Sequence, residues 1–415
     1  ERLNPQPTTR NPQPMLNAIK AITDDVFPEV VALRRTFHQH PELALNEHET
    51  ARRVQETLAP LDGITVQTGV YETGVVATLR GEQPGPTRLL RADMDALPIQ
   101  EETGLDFASK HDGVMHACGH DAHIASLLGA AKVLHSLRDR VHGPIRFLFQ
   151  PTEERIPGGA KFMIEEGALD TNDASPSPDA VFGQHVRPDL PVGTIGVRSG
   201  MFMASADEVF ITVHGEGGHA AAPHELAADP TLAASHIVVA LQSVISRHCP
   251  PDVPSVLTIG TLMAEGATNV IPARAQMEGT FRAMDEDWRR RGHELIRRTA
   301  QRTAEAHGAT AEVDIKVGYP ALYNHEAPTA LVRKAAVDYV GADNTVDLGP
   351  WFAGEDFAYF LQERPGTFYT LGVGNEARGI THRLHTSRFT IDEEALRVGT
   401  GFLAYLAWRF GADRA

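Results

Sequence analysis

The chain has 415 residues, 42% of them apolar and 22% charged, the composition of a globular protein with a sizeable core and two or three domains. Its 38 Lys and Arg against 54 Asp and Glu leave a net charge of −16, a field that repels phosphate backbones and argues against nucleic-acid binding. No stretch approaches the roughly 18 uninterrupted apolar residues of a membrane-spanning helix, and two cysteines, Cys118 and Cys249, cannot build a disulfide scaffold.

Residues 1–14 are polar and Pro-rich and read as a disordered lead-in. Apolar residues then recur at helical spacing over 24–37, with Asp24 and Asp25 placed to cap the start, and a second helix fits 49–58. Strand-like runs follow at 64–70, 74–79 and 87–92. A long Ala- and Leu-rich helix fits 121–137, and the apolar run 145–149 has the pattern of a fully buried strand. A helix at 160–166 and a buried strand at 180–182 continue the alternation, which argues for a layered α/β domain. Near Gly200 the texture changes. Strands at 208–214, 256–263, 275–282 and 311–317, with helices at 231–246 and 286–307, give the order β, α, β, β, α, β of a ferredoxin-like unit. After Pro320 the first texture returns, with helices at 328–339, 356–362 and 393–409 and a strand at 367–373. The expected architecture is α/β: a discontinuous domain of residues 15–200 and 320–415, with a mixed sheet flanked by helices, interrupted by a smaller ferredoxin-like α+β domain at 201–319.

Five places concentrate side chains that can hold a metal: Asp93 and Asp95, the run His116, Cys118, His120, His123, the pair Glu153-Glu154, His185, and His385. Four follow predicted strands or lie where a strand hands over to a helix, and ligands in open α/β sheets bind outside the carboxyl ends of the strands. Thiolate, imidazole and carboxylate together suit Zn²⁺, with Mn²⁺ also compatible. Five or six such groups exceed the three a single catalytic ion usually takes and suit two ions sharing a bridging water. Each piece also has a plainer reading. Glu153-Glu154 alone would be a solvated surface pair, Asp93 and Asp95 turn residues, and Cys118 a small buried hydrophobe. His38 and His40 look structural or placed to support a ligand from behind, and Cys249 looks structural.

The segments RADMDALPIQEETGL, GVMHACGHDAHIASLLGAAKVL, FQPTEE, PGGAKFMIEEGAL, GGHAAAPH, NVIPARAQMEGTFRA and GEDFAYF together resemble the M20 metallopeptidase family. Within it they resemble the amidohydrolase branch of hippurate hydrolases, aminoacylases, N-acetyl-diaminopimelate deacetylases and auxin-conjugate hydrolases. The resemblance runs from about residue 30 to 405. It implies that Cys118, His120, Glu154, His185 and His385 are metal ligands, Cys118 as a thiolate touching both ions. It implies that Glu153 is the general acid/base and that Asp95 orients a ligand imidazole. Asp93 is assigned to the same supporting layer.

The inserted domain would be the family's lid and dimerisation domain. There His219 would stabilise the oxyanion, while Asn269 and Arg282 would hold a substrate carboxylate. Gly217-Gly218 would let backbone approach closely, and Met201, Phe202 and Met203 could line a substrate pocket. One departure is visible: the branch reads Met-His-His/Ser-Pro at the last ligand, whereas this chain has Leu384-His385-Thr386-Ser387, with His382 as an extra candidate.

The resulting expectation is hydrolysis of the amide bond of N-acyl amino acids by a metal-bridged hydroxide. It would use two divalent ions per subunit, Mn or Zn first and Co or Ni as further candidates. A dipeptidase or carboxypeptidase would use the same machinery. A thiol hydrolase built on Cys118 with His120 or His123 as base leaves Glu153, Glu154, His185 and His385 unexplained, and a non-catalytic binder would have lost ligands that are all present. A homodimer through the lid domain, or a larger assembly of such dimers, is expected. So is a cytoplasmic location, with export left open by a chain that starts at Glu1.

Overall fold

A computed structural model describes residues 11–172 and 174–414. The expected disordered lead-in lies outside these residues up to position 10, and its last two residues, Gln13 and Pro14, are already helical. The chain divides into two compact units. The first holds the chain up to Gly200, Asn324–Gly349 and everything from Tyr359 on; the second holds Met201–Tyr323 and Pro350–Ala358.

Up to Gly200 the elements are α1 (Gln13–Gln39), α2 (His48–Leu58), β1 (Ile64–Thr68), β2 (Val75–Arg80), β3 (Arg88–Asp93), α3 (His120–Ser136), β4 (Pro144–Gln150), α4 (Gly159–Glu165), β5 (Ala180–Pro191) and β6 (Ile195–Val197). Next come β7 (Gly200–Met203), β8 (Asp207–His214), β9 (Gly218–His219), α5 (Pro230–Ser243), β10 (Ser255–Met263), β11 (Val270–Ile271), β12 (Arg274–Ala283), α6 (Glu286–Ala306), β13 (Thr310–Lys316) and β14 (Leu322–Asn324). The last stretch holds α7 (Glu326–Val340), β15 (Thr345–Asp347), α8 (Ala358–Glu363), β16 (Gly366–Gly374) and α9 (Glu394–Ala412).

In the first unit one mixed sheet runs β1-β2-β4-β3-β5-β16-β6-β15 among the described residues. β4, β3, β5 and β16 are mutually parallel. β2 opposes β4, β1 opposes β2, and β6 opposes β16. β3, β4 and β16 are buried along nearly their whole length, as strands covered on both faces must be. Helices α1, α3, α7 and α9 supply apolar residues to the same core, with α3 packed between α1 and α9. This is the mixed sheet flanked by helices expected from the sequence.

The register explains where the polar residues emerge. Asp93 ends β3 directly beside Gln150, which ends β4, and β5 carries His185 beside Thr370 of β16. Parallel neighbours therefore deliver Asp93, the turn after Gln150 and His185 to one edge of the sheet.

Three departures have physical causes. α1 begins at Gln13, not residue 24, because Met15, Leu16 and Ile19 are buried in the core; Asp24 and Asp25 are interior helix residues, not caps. β5 runs to Pro191 rather than stopping at 182, because β16 pairs with it as far as Pro191. β6 and β15 are three residues each, too short to show a period.

The second unit has an antiparallel sheet in the order β10-β12-β8-β13, with α5 and α6 packed on it. Chain order through it is β, α, β, β, α, β, as the alternation suggested. β8 alternates buried and exposed residues, and Val209, Ile211 and Val213 meet Ile237 and Leu241 of α5 and Leu295 and Ile296 of α6 in a separate core. At its base Asp207 is buried and accepts from Arg289 Nε at 2.9 Å, His293 Nε2 at 2.7 Å and Gly318 N at 3.1 Å. Burial works against the ionised carboxylate, but the Arg289 and His293 contacts outweigh it and hold the group down at about 2.

Candidate metal centre

The centre lies wholly in the first unit, and short-range chemistry places each of its parts. Gly119 starts α3 in the left-handed region, φ +88° and ψ 17°. This turn sets Cys118 and His120 on either side of the helix entrance. Glu153 and Glu154 sit in the loop after β4, His185 on β5, and His385 in the loop before α9 with φ +60°. All but His385 are largely buried; its side chain is 52% exposed.

Donor atoms converge. Cys118 Sγ lies 3.4 Å from His185 Nε2 and 3.3 Å from His385 Nε2. His385 Nε2 is 3.2 Å from Glu154 Oε1. His120 Nε2 stands 3.9 Å from Glu153 Oε2, 3.9 Å from Glu154 Oε1 and 3.7 Å from Asp93 Oδ2. Two triads of ligand atoms, Cys118–His120–His185 and Cys118–Glu154–His385, share the sulfur. The extra candidate His382 is exposed and belongs to none of these clusters among the described residues.

The outer hydrogen bonds aim the rings. Asp95 O lies 2.9 Å from His120 Nδ1 and can only accept, so that nitrogen carries a proton and Nε2 is the one turned inward. His185 Nδ1 makes the same kind of bond to Val186 O at 2.7 Å, which leaves Nε2 facing Cys118. Asp95 Oδ2 also accepts from Glu154 N at 2.8 Å, so one residue positions two of the candidate ligands. His123 is different. Val186 N donates to its Nε2 at 2.9 Å, and its Nδ1 meets Asp93 Oδ1 at 2.5 Å. Both nitrogens are committed, so His123 is no base for Cys118. Asp93 is likewise engaged, with Arg91 Nη1 on its other oxygen at 2.6 Å.

The electrostatics show what the cluster fits. His120 Nε2 is buried without a hydrogen bond and faces oxygens of three carboxylates. Such a pocket calls for a cation at its centre. Burial alone would favour the neutral ring, but Asp93 and Asp95 outweigh it and push the imidazole up to about 10. Burial, with Glu154, Glu153 and Asp93 close by, drives the Cys118 thiol well above its ordinary range. The donor set of one thiolate, three imidazoles and carboxylates fits Zn²⁺ or Mn²⁺.

In the second unit His219 and Asn269 belong to one small ribbon. β9 pairs with β11, His219 opposite Val270, and Ala220 N donates to Asn269 O at 3.0 Å. Both side chains are on the exposed surface. Arg282 is half-buried on β12, its Nε donating to Thr280 Oγ1 at 3.2 Å. Reasoning from sequence missed Arg91 and Glu47. The signal for Arg91 was a charge inside the buried strand RLLRAD; Glu47 looked like an ordinary residue ahead of a helix.

Comparison with known proteins places these features in a family. The model of peptidase family M20/M25/M40 matches residues 89–409. N-acetyl-L-cysteine deacetylase of Bacillus subtilis is 42% identical over 375 residues, covering 90% of this chain and 86% of that protein. Thermostable carboxypeptidase 1 of Saccharolobus solfataricus is 41% identical over 399 residues, 95% of this chain and 99% of that protein. A solved Bacillus subtilis structure, described as a dinuclear metal-binding peptidase of the M20 family, superposes with a TM-score of 0.79 at 38% identity, covering 92% of this chain and 98% of that one.

Proposed function

The chain belongs to peptidase family M20/M25/M40, and from that premise we propose that this hydrolase cleaves the amide bond of N-acyl amino acids, releasing an amino acid and a carboxylic acid. The observation that carries the reading is the convergence of Cys118, His120, Glu154, His185 and His385 in two triads of donor atoms that share the Cys118 sulfur, with His120, His185 and Glu154 held by bonds from outside the triads. Two divalent ions, manganese or zinc before cobalt or nickel, would supply Lewis acidity to the substrate carbonyl and lower the pKa of a water between them. The similarity to an N-acetyl-L-cysteine deacetylase supports an acyl amino acid as substrate.

The chain's own groups have distinct tasks. Glu153 is 5% exposed and is not one of the outward-turned charges of the surface. Its carboxylate takes the proton of the attacking water and returns it to the leaving nitrogen. Asp95 fixes the ring of His120 and the backbone of Glu154 together. Asp93 and Arg91 hold His123, whose other nitrogen steadies the backbone beside His185. His219 would steady the developing oxyanion, and Asn269 with Arg282 would hold the substrate carboxylate.

A homodimer through the second unit is part of the reading. β10 lies at the edge of that sheet, and Val256, Leu262 and Met263 on it are exposed, as are Leu232 and Val239 on α5. Unpaired edges and exposed apolar residues are what strand-edge association covers. Sedimentation of the native protein should give twice the chain mass. No helix among the described residues is long and apolar enough to cross a membrane, and two free cysteines support a cytoplasmic location.

The similarity to a carboxypeptidase supports a second reading, removal of a C-terminal residue from a peptide by the same site. One screen separates the two. Chelated protein is restored with Mn²⁺, Zn²⁺, Co²⁺ or Ni²⁺ and offered N-acetyl, N-benzoyl and long-chain acyl amino acids beside dipeptides and longer peptides. Metal-dependent release from acyl amino acids, lost in Glu153→Ala, supports the first reading. Release mainly from peptides moves the assignment to the second, and activity indifferent to chelation overturns both.

A further inference from the structure

Glu47 lies at the start of α2, far in sequence from every candidate ligand, yet it is fully buried. It does not cap its own helix. Instead its Oε1 accepts from Thr152 N at 2.8 Å and Thr152 Oγ1 at 3.3 Å, and its Oε2 accepts from Thr73 Oγ1 at 2.9 Å. Thr152 has φ +60°, a conformation that a β-branched residue rarely adopts. Each of its polar groups is engaged. Besides the bonds to Glu47, its Oγ1 accepts from Leu45 N at 3.0 Å, and its carbonyl accepts from Gly159 N at 2.8 Å. The next two residues are Glu153 and Glu154, and Glu154 N is itself held by Asp95 at 2.8 Å. The acidic pair is thus bracketed, by Asp95 on one side and by a clamped left-handed residue on the other.

We propose that Glu47 is a positioning residue: by clamping Thr152 in the left-handed region it sets where the Glu153 and Glu154 carboxylates stand, and through Glu154 the metal affinity of the centre. Backbone held in an unfavourable region persists only where surrounding bonds overdetermine it, and such residues concentrate at functional sites. Glycine adopts the same region freely, so the clamp and the threonine are a matched pair. Remove the clamp and Thr152 relaxes, swinging the following carboxylates. Replace Thr152 by glycine as well, and the penalty that drives the relaxation disappears.

The inference rests on the metal reading above, so the experiment must tell the two apart. Chelated full-length protein is titrated with Co²⁺, following the visible d–d bands and the thiolate-to-cobalt absorption of Cys118, and kcat and KM are measured in parallel with an accepted substrate. Glu47→Ala should weaken Co²⁺ binding at least tenfold and lower kcat with KM little changed. Thr152→Gly added to it should return the affinity to within threefold of the parent. A purely structural role for Glu47 would show in the melting temperature and would not be repaired by deleting a second hydrogen-bonding side chain. Should the alanine variant not fold, Glu47→Asp, which keeps the charge and withdraws it from Thr152, takes its place with the same expected loss and rescue. A folded variant that binds Co²⁺ within twofold of the parent overturns the proposal, as does a double variant no better than the single one. A parent protein that takes up no Co²⁺ overturns the metal reading itself.

Discussion

Replacing Gly119 by alanine tests whether the turn between Cys118 and His120 is built for the centre or is an ordinary helix start. Two costs can be worked out. The backbone sits at φ +88°, ψ 17°, where any side chain costs about 1 kcal/mol. A Cβ there would stand 2.4 Å from Val186 Cγ2, and forcing atoms into a packed interior costs about 1–3 kcal/mol. Together they give about 2–4 kcal/mol. Val186 is no passive neighbour: its carbonyl holds His185 Nδ1 and its N–H holds His123 Nε2. Pushing it aside should also weaken metal binding. The control is Gly113→Ala, at φ +73° with nothing within 4 Å of the added carbon, where the backbone cost alone, about 1 kcal/mol, should appear. Urea unfolding of the chelated proteins measures the first effect and Co²⁺ titration of the folded proteins the second. A Gly119→Ala protein no less stable than Gly113→Ala, with unchanged Co²⁺ affinity, would refute the reasoning.

Further outcomes follow from single contacts. Glu153→Gln should lower kcat by about 10²–10⁴ while two equivalents of metal are retained, checked by elemental analysis beside the kinetics. Asp207→Ala removes one of the two carboxylates that meet the buried Arg289, leaving Glu286 on Nη1 at 3.2 Å, and should cost about 1–3 kcal/mol for the donors left unpaired, read by calorimetry near pH 7. Because the Asp207 carboxyl is held at about 2 against an ordinary 3.8, its contribution is complete above pH 4 and is lost as the pH falls toward 2; the gap between parent and variant should narrow over that range. Glu47 behaves oppositely. Burial first, and then the nearby Asp95 charge, raise its carboxyl from 4.5 to about 7. The folded chelated protein keeps a proton that the unfolded chain has released, so stability from this group falls as pH rises from about 4.5 to 7. Glu47→Gln should therefore be more stable than the parent at pH 8, by about 3 kcal/mol, and the difference should vanish near pH 4; a difference independent of pH would contradict this.

Much of the first unit was legible because its signals are local. β4 reads as an unbroken apolar run, and α3 as a long Ala-rich helix whose start is announced by Cys-Gly-His. The second unit was clearer still, since half-buried strands such as β8 alternate cleanly. What stayed hidden depends on partners distant in sequence. The first turns of α1 look polar until Met15, Leu16 and Ile19 find a core, and β5 extends only because β16 lies beside it. The same holds in the centre. Residue types marked five places and the family resemblance singled out Cys118, His120, Glu154, His185 and His385 among them, but nothing in the string TEE reveals that Thr152 is left-handed or that Glu47, 105 positions earlier, holds it. Likewise Asp93 looked like a neighbour of the centre, and only the fold shows it locked between Arg91 and His123.

Crystals of the protein grown with Co²⁺ or Zn²⁺ and measured at the metal absorption edge would decide the central assignment. Two anomalous peaks about 3.5–4 Å apart should appear, with the Cys118 sulfur between them and His120, Glu154, His185 and His385 as the other protein ligands. A single peak, or peaks away from Cys118, would contradict the two-ion centre, whatever activity the protein shows.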